Sequence, residues 1–306
     1  MGVYEVWRGR NLMGKVTSLR AMDVVWITSR TPRLQALLLY NEVLKLRKTG
    51  LTYRQIQEAI KNEHGVRLGI STIGCWISGK HNPIGRCNRI REGPELAYVL
   101  SAWLGDGTLS CWRNRVYTIR LAVKDYDFAE EWGRCLAIAL NRSRPYKPWW
   151  NKRLQLWVVS GCSVLLCGLL GRAKDDPWIL MPILEKYPAD ACRGFFDAEG
   201  YVDIRGYGVK AVNTDRRVIE LFRLLLLKIG IDCTVNEDAL KHDVFISPAR
   251  SKVYQRKKHA IFRLAIYGKD SILRFAERVS FIIARKRAAL TRLLAKYNRQ
   301  GHKREG

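Results

Sequence analysis

Two acids in this chain, Asp106 and Glu199, each close an apolar segment and are each followed by glycine, in LSAWLGDG (100–107) and RGFFDAEG (193–200). A small residue precedes each acid and another lies four residues earlier: Gly105 and Ser101 in the first segment, Ala198 and Gly194 in the second. In a helix, positions i and i+4 share a face, and small side chains there let two helix backbones approach closely. Packing the segments along Ser101, Gly105, Gly194 and Ala198 brings both carboxylates to one end of a seam. Carboxylates so placed repel unless a cation or a shared proton lies between them. Neither motif contains His or Cys, which disfavours zinc, whereas carboxylate oxygens beside the exposed carbonyls of Gly105 and Ala198 suit Mg²⁺. A metal held by a carboxylate pair points to phosphodiester hydrolysis, with water activated and the attacking and leaving oxygens stabilised.

The elements that must position these acids recur along the chain. Each acid-bearing helix leads into a hairpin, TLSCWRNRVYTIRLAV or YVDIRGYGVKAV, turning near Arg113-Asn114 and Arg205-Gly206. A helix follows, then two strands around a basic loop, then a closing helix, read in the second half as one helix KDSILRFAERVSFIIARKRAALTRLL. The expected fold is α+β: two pseudo-symmetric αββαββα repeats, 95–186 and 187–299, joined through the linker DDPWILMPILEKYP. Ahead of them, residues 34–80 have the layout of a small all-α helix-turn-helix domain. Thr52 and Gln55 form a capping-box pattern, and STIGCWISG, following a cap at Ser71, supplies a candidate recognition helix from Thr72 to Ser78. Residues 81–94 read as a linker, 300–306 as a basic tail, and 1–33 as a poorly defined N-terminal segment of weak periodicity.

Charge bounds the partner. Among 306 residues, 54 Lys and Arg stand against 28 Asp and Glu, for a net +26. A balance this basic favours a polyanion, and nucleic acid ahead of a membrane surface, because no apolar run approaches the roughly 20 residues that span a bilayer. The eight cysteines form no C-x-x-C pair and read as buried free thiols of a reducing compartment. The protein is expected to be cytoplasmic and nucleoid-associated, or organellar in a eukaryotic host, and not secreted. Basic loops recur at matched positions of the two halves: Arg142, Arg144, Lys147, Lys152 and Arg153, with Trp149 and Trp150, against Arg250, Lys252, Arg256, Lys257 and Lys258. They fit phosphate clamps at either end of a duplex, while base reading falls to the sheets. In RVYTIRLAV, alternation separates Arg115, Tyr117, Ile119 and Leu121 from Val116, Thr118, Arg120 and Ala122 without deciding which face meets DNA. Arg205 and Lys210 are the corresponding second-hairpin candidates, and Thr72 the one in the helix-turn-helix.

LSAWLGDG and RGFFDAEG, with their spacing and the repeat that contains them, resemble the two signature motifs of the LAGLIDADG homing endonucleases in the single-chain form. Over about residues 95–295 the resemblance implies a saddle whose two sheets straddle duplex DNA. It implies Mg²⁺-dependent cleavage of both strands of a long asymmetric target to leave 3′ overhangs, with Mn²⁺ able to substitute. Asp106 and Glu199 would be the metal-binding catalytic acids, one for each strand. The family often has a basic residue after each hairpin, which Lys124 fits in the first half; Asn213, which is not basic, is the matching position in the second, which would borrow Lys210 or work less well. It also often has a basic pair in the closing helix, which Arg285 and Lys286 supply. The expected protein is a monomeric, free-standing, intron-encoded endonuclease rather than an intein, because no nucleophile opens the chain and no His-Asn closes it. An RNA maturase acting on its host intron RNA is the alternative, and a non-catalytic DNA-binding regulator a third.

Overall fold

The computed structural model describes residues 32–83, 89–112, 116–239, 244–247, 252–255 and 260–302. The chain divides into two compact units, Met1–His81 and Asn82–Gly306.

In the first unit, α1 (Pro32–Lys48), α2 (Tyr53–His64) and α3 (Ile70–Ile77) bury one apolar cluster. Leu39 and Val43 come from α1, Ile56 and Ile60 from α2, and Ile73 and Trp76 from α3. The capping box opens α2: the Thr52 amide donates to Gln55 Oε1 at 2.8 Å while the Thr52 hydroxyl accepts from the Gln55 amide. Gly65, at φ 66°, takes the left-handed conformation that ends it. The third helix departs from the Ser71 cap. Gly69, in extended conformation, is the N-cap, so Ser71 lies within the first turn and Thr72 is half-buried.

The second unit opens with α4 (Pro94–Asp106), set by proline in its first turn, where a missing N–H costs nothing. The chain continues through β1 (Gly107–Trp112), β2 (Val116–Val123), α5 (Tyr126–Ala139), β3 (Trp149–Asn151), β4 (Leu156–Cys162) and α6 (Val164–Asp175). The segment expected as a linker is helical: a 3-10 turn, Pro177–Leu180, runs into α7 (Met181–Leu184), because Asp176 caps the turn and Leu180, Ile183 and Leu184 are buried. The second repeat opens with α8 (Pro188–Glu199), again on proline, followed by β5 (Gly200–Asp203), β6 (Gly208–Asn213) and α9 (Arg216–Lys228). Then come β7 (Thr234–Ala239), a hairpin β8 (Val244–Ser247) and β9 (Lys252–Gln255) within the basic loop, and β10 (Ala260–Tyr267). The sheets have matching antiparallel orders, β1-β2-β4-β3 and β5-β6-β10-β7.

The second repeat closes in two helices, α10 (Lys269–Arg278) and α11 (Ala284–His302), rather than one. The break has a local cause. Ser280 is left-handed at φ 55°, and the Ile282 amide donates to the Asp197 carboxylate at 3.0 Å instead of continuing a helical ladder. Among the described residues, no helix is long and apolar enough to cross a membrane.

Strand alternation resolves which face of each sheet packs on helices. In β2, Tyr117, Ile119, Leu121 and Val123 are buried while Val116 and Arg120 are exposed. In the second sheet Val209, Ala211, Leu264 and Ile266 are fully buried. The core beneath is aromatic, with Phe195 and Phe222 stacked at 3.9 Å and Trp132, Phe128, Phe196, Phe275 and Phe281 buried around them.

The acid-bearing helices form the centre of the unit, side by side and parallel. A methyl group placed on Gly105 would lie 2.6 Å from Ala198 Cβ, and one on Gly194 would lie 2.4 Å from the Tyr98 carbonyl oxygen and 3.2 Å from the Ala102 nitrogen. Ser101 is fully buried and its hydroxyl has no hydrogen-bond partner. Opposite outcomes follow for two seam substitutions. Gly194→Ala forces backbone apart and should cost about 2–3 kcal/mol, as overpacking does. Ser101→Ala removes a buried unpaired hydroxyl and should be neutral or stabilise by about 1 kcal/mol. Urea denaturation of both variants checks the pair; a harmless Gly194→Ala would mean the helices do not touch at backbone distance.

Candidate active site

Because α4 and α8 are parallel, their C-terminal ends meet. The last carbonyls of a helix have no intrahelical partner, and each end carries roughly half a negative charge. The chain adds Asp106 to one end and Glu199 to the other, so a concentrated negative site lies within a protein of net +26. Burial raises the Asp106 carboxyl to about 6, opposed by the nearby Lys286 charge. Burial raises Glu199 to about 7, helped by repulsion from Asp106 and opposed by Asn213 and Lys286. The seam that places these acids together also makes it costly for both to ionise unaided.

Lys286 is the cation the chain itself supplies. It lies in the first turn of α11, is only 6 % exposed, and its Nζ donates to the carbonyls of Phe196 at 3.0 Å and Asp197 at 2.6 Å. The Phe196 carbonyl also accepts the Gly200 amide, so Lys286 adds a second bond there, takes up the Asp197 carbonyl and keeps one ammonium hydrogen. Desolvation pushes this lysine below its ordinary range, with Asp197, Asp125 and Asp106 drawing it back up.

Two neighbours of the site have roles the sequence reading does not assign. Asn213 Nδ2 donates to Glu199 Oε1 at 3.1 Å, fixing that carboxylate. Asp197, 1 % exposed, accepts the Tyr98 hydroxyl at 2.9 Å across the seam and the Ile282 amide. An aspartate directly after the apolar pair Phe195-Phe196 was the available signal for it.

The register corrects the equivalence of Lys124 with Asn213. Gly107 pairs with Leu121 and Gly200 with Ala211, so Asn213 corresponds to Val123 and Lys124 to Thr214. The helix caps Asp125 and Asp215 agree. Val123 is buried on the packed face, so Asp106 has no counterpart of the asparagine that holds Glu199. Lys124 is exposed in the bend after β2. Arg285 turns away from the acids: its guanidinium grips Asp125 through two bonds of 2.7 Å and, with the Ala284 amide on Asp127, ties α11 to the start of α5.

Of the candidate DNA contacts, Arg120 is exposed on the open face of β2. Arg142, Arg144 and Lys147 are exposed in the loop before β3, with the Arg142 guanidinium 4.2 Å from the Tyr146 ring centre. Lys152 and Arg153 are exposed in the β3–β4 turn, and Arg205 in the β5–β6 turn. Lys210 is not a free cation: its Nζ is 2.7 Å from Asp203 Oδ2, too engaged to be lent to the acids. Arg115, Arg250, Arg256, Lys257 and Lys258 lie outside the described residues, and of Lys252 only its place in β9 is described. The seven cysteines described are free, but Cys162 is exposed and Cys75, Cys111 and Cys233 are half-buried, so not all are core thiols. Among the described residues no group of three or more His, Cys, Asp or Glu could hold a metal ion. A metal here would have two carboxylates, helix-end carbonyls, water and substrate oxygens, a donor set suited to Mg²⁺.

The profile of the LAGLIDADG-like domain matches residues 188–280, which fall within the second repeat. The uncharacterized protein MJ0398 of Methanocaldococcus jannaschii is 33 % identical over 265 residues, spanning 85 % of this chain and 94 % of that protein. This chain belongs to the LAGLIDADG family. Similar solved folds include the I-DmoI homing endonuclease with DNA and Ca, at TM-score 0.45 and 16 % identity, covering 65 % of this chain and 97 % of that one. Full-length DUF199/WhiA from Thermatoga maritima aligns at TM-score 0.41 and 15 % identity, covering 70 % of this chain and 67 % of that one. The matched residues take in α8 with its terminal Glu199, and α4 with Asp106 is its counterpart in the first repeat.

The raised carboxyls make a pH prediction. Between the unfolded carboxyl range near 4 and the folded value of about 7, the folded state holds protons that the unfolded chain has released. Without divalent metal, stability from this site is therefore fullest at low pH and falls as pH rises through that window. Denaturant titrations in chelator at stepped pH should show the fall, and Asp106→Asn and Glu199→Gln should flatten it. Identical pH profiles for wild type and both variants would contradict the raised carboxyls.

Proposed function

We propose that this protein is a site-specific, divalent-metal-dependent DNA endonuclease that cuts both strands of a duplex. The observation that carries the reading is the convergence of two helix C-termini, an exposed and a half-buried carboxylate and one buried lysine at the end of the LAGLIDADG seam. Asp106 and Glu199, with the carbonyls of Gly105 and Ala198, would hold the cation, which when bound lowers the pKa of water and offsets charge on the scissile phosphate. Lys286 directs its remaining N–H toward the acids and the phosphate oxygen presented to them. Asn213 holds Glu199 through Oε1 and leaves Oε2 for the metal. The two cutting sites are alike but unequal, since Asp106 lacks such a partner. The open sheet faces meet the duplex, and the exposed basic residues of the first repeat, Arg144, Lys147, Lys152 and Arg153, attract its phosphates. The three-helix unit extends the footprint through α3.

Cleavage of a randomised plasmid library in Mg²⁺ provides the test. Asp106→Asn and Glu199→Gln should each lower double-strand cleavage at least about a thousandfold, the equivalent of several kcal/mol, while duplex binding in a gel-shift assay persists. Cleavage surviving in both variants would sink the reading. Duplex binding without cleavage by the wild type would favour the regulator, and binding of intron RNA alone the maturase. Removing residues 1–81 should weaken duplex affinity yet leave metal-dependent cleavage; unchanged affinity would reduce the three-helix unit to a packing module.

A further inference from the structure

The open faces of the two sheets differ in charge in a way that their matching topology does not require. No strand of the first sheet contains Asp or Glu. Its open face presents Thr108, Ser110, Thr118, Ser160 and the exposed Arg120, and no acidic residue occurs anywhere from Trp132 to Lys174.

The second sheet places both of its open-face cations on the inner strands, Lys210 on β6 and Arg263 on β10, and a carboxylate on each outer strand. Asp203 of β5 takes Lys210, and Asp238 of β7 takes Arg263. Both pairs lie on the face opposite the buried Val209, Ala211, Leu264 and Ile266. The Lys210 side chain is only 10 % exposed, with its Nζ 5.4 Å from the Tyr267 ring centre. Asp203 is pinned from its other oxygen by the Gly206 amide at 2.8 Å. The carboxylates keep about a third of their side-chain surface open, 29 % for Asp203 and 33 % for Asp238. In a chain of net +26, this face has cancelled its own charge.

A cation already paired in the free protein displaces few counterions from DNA, and a carboxylate facing a phosphate is repelled. Each carboxylate retains lone pairs after accepting its internal bonds, and in the major groove the donors available to it are the exocyclic amino groups of cytosine and adenine. We infer that the open face of the second sheet is a self-neutralised reading face on which Asp203 and Asp238 select amino-bearing bases, with phosphate attraction left to cations outside that face, Lys152 of the first repeat among them. The inference rests on the duplex-binding reading above.

Salt titration of binding to a mixed-sequence duplex, with selection from a randomised duplex library, tests it. Asp203→Asn and Asp238→Asn each release a cation, so each should steepen the slope of log affinity against log salt by about one and raise generic affinity roughly eightfold at 0.1 M salt. Asp203→Ala and Asp238→Ala, which leave no side-chain acceptor, should each also erase the amino-base preference at one selected position. Lys152→Met, in the first repeat, should make the slope shallower by about one with the selected sequence unchanged. The double variant Asp203→Asn/Lys210→Met should return the slope to that of wild type, which separates charge from misfolding. Folded variants with wild-type slopes and selected sequences would overturn the inference while leaving the endonuclease reading intact. A wild-type protein that binds no duplex would overturn both.

Discussion

The close approach of α4 to α8 is the constraint from which the rest of the second unit follows. Where two helices touch backbone to backbone, only residues without a bulky Cβ environment fit, and Gly194 against the Tyr98 carbonyl is the tightest such contact. That contact has a direction. Being parallel, the helices bring two carbonyl-rich ends, and two acids, to one place. Each sheet then starts immediately beyond the seam, at Gly107 and Gly200, so both sheets radiate from the acids by construction.

The electrostatic problem this creates has a solution within the chain. Lys286 caps α8 from the start of another helix, and its position depends on the break at Val279–Ile283 that Asp197 helps to hold. One buried lysine serves two unequal carboxylates, Glu199 with an amide partner in Asn213 and Asp106 without. The inequality lies in strand β6 and not in the motifs, since Val123 occupies the corresponding position of β2.

Much of this was legible in the residues, because the seam and the repeat are encoded in short-range patterns. Small residues four apart before an acid declare a helix interface, and Thr52 with Gln55 declares a helix start. What escaped was decided by long-range geometry. Arg285 and Lys286 are adjacent basic residues with no local feature to separate them, yet one faces Asp125 and the other α8. The pairing of Lys124 with Asn213 failed by one position because the two hairpins differ in length, and only the cross-strand register restores the count. The closing helix of the second repeat read as continuous because its apolar spacing is continuous; the competing demand of the Asp197 carboxylate comes from a residue far away in sequence. Lys210 read as an available cation because its partner, Asp203, is on another strand.

The bond between Tyr98 and Asp197 carries a consequence for the ancestry of the repeat. Under the correspondence of the two acids, Tyr98 answers to Ala191 and Asp197 to Leu104. Two copies of the first half would set each tyrosine hydroxyl against leucine, and two copies of the second would bury two carboxylates facing alanine. Neither half complements itself at this point; each complements only the other. Buried polar groups without partners are costly, so this single hydrogen bond acts as a lock and key between halves of one chain. It commits the fused molecule to its present pairing and closes the route back to a symmetric dimer of half-length subunits.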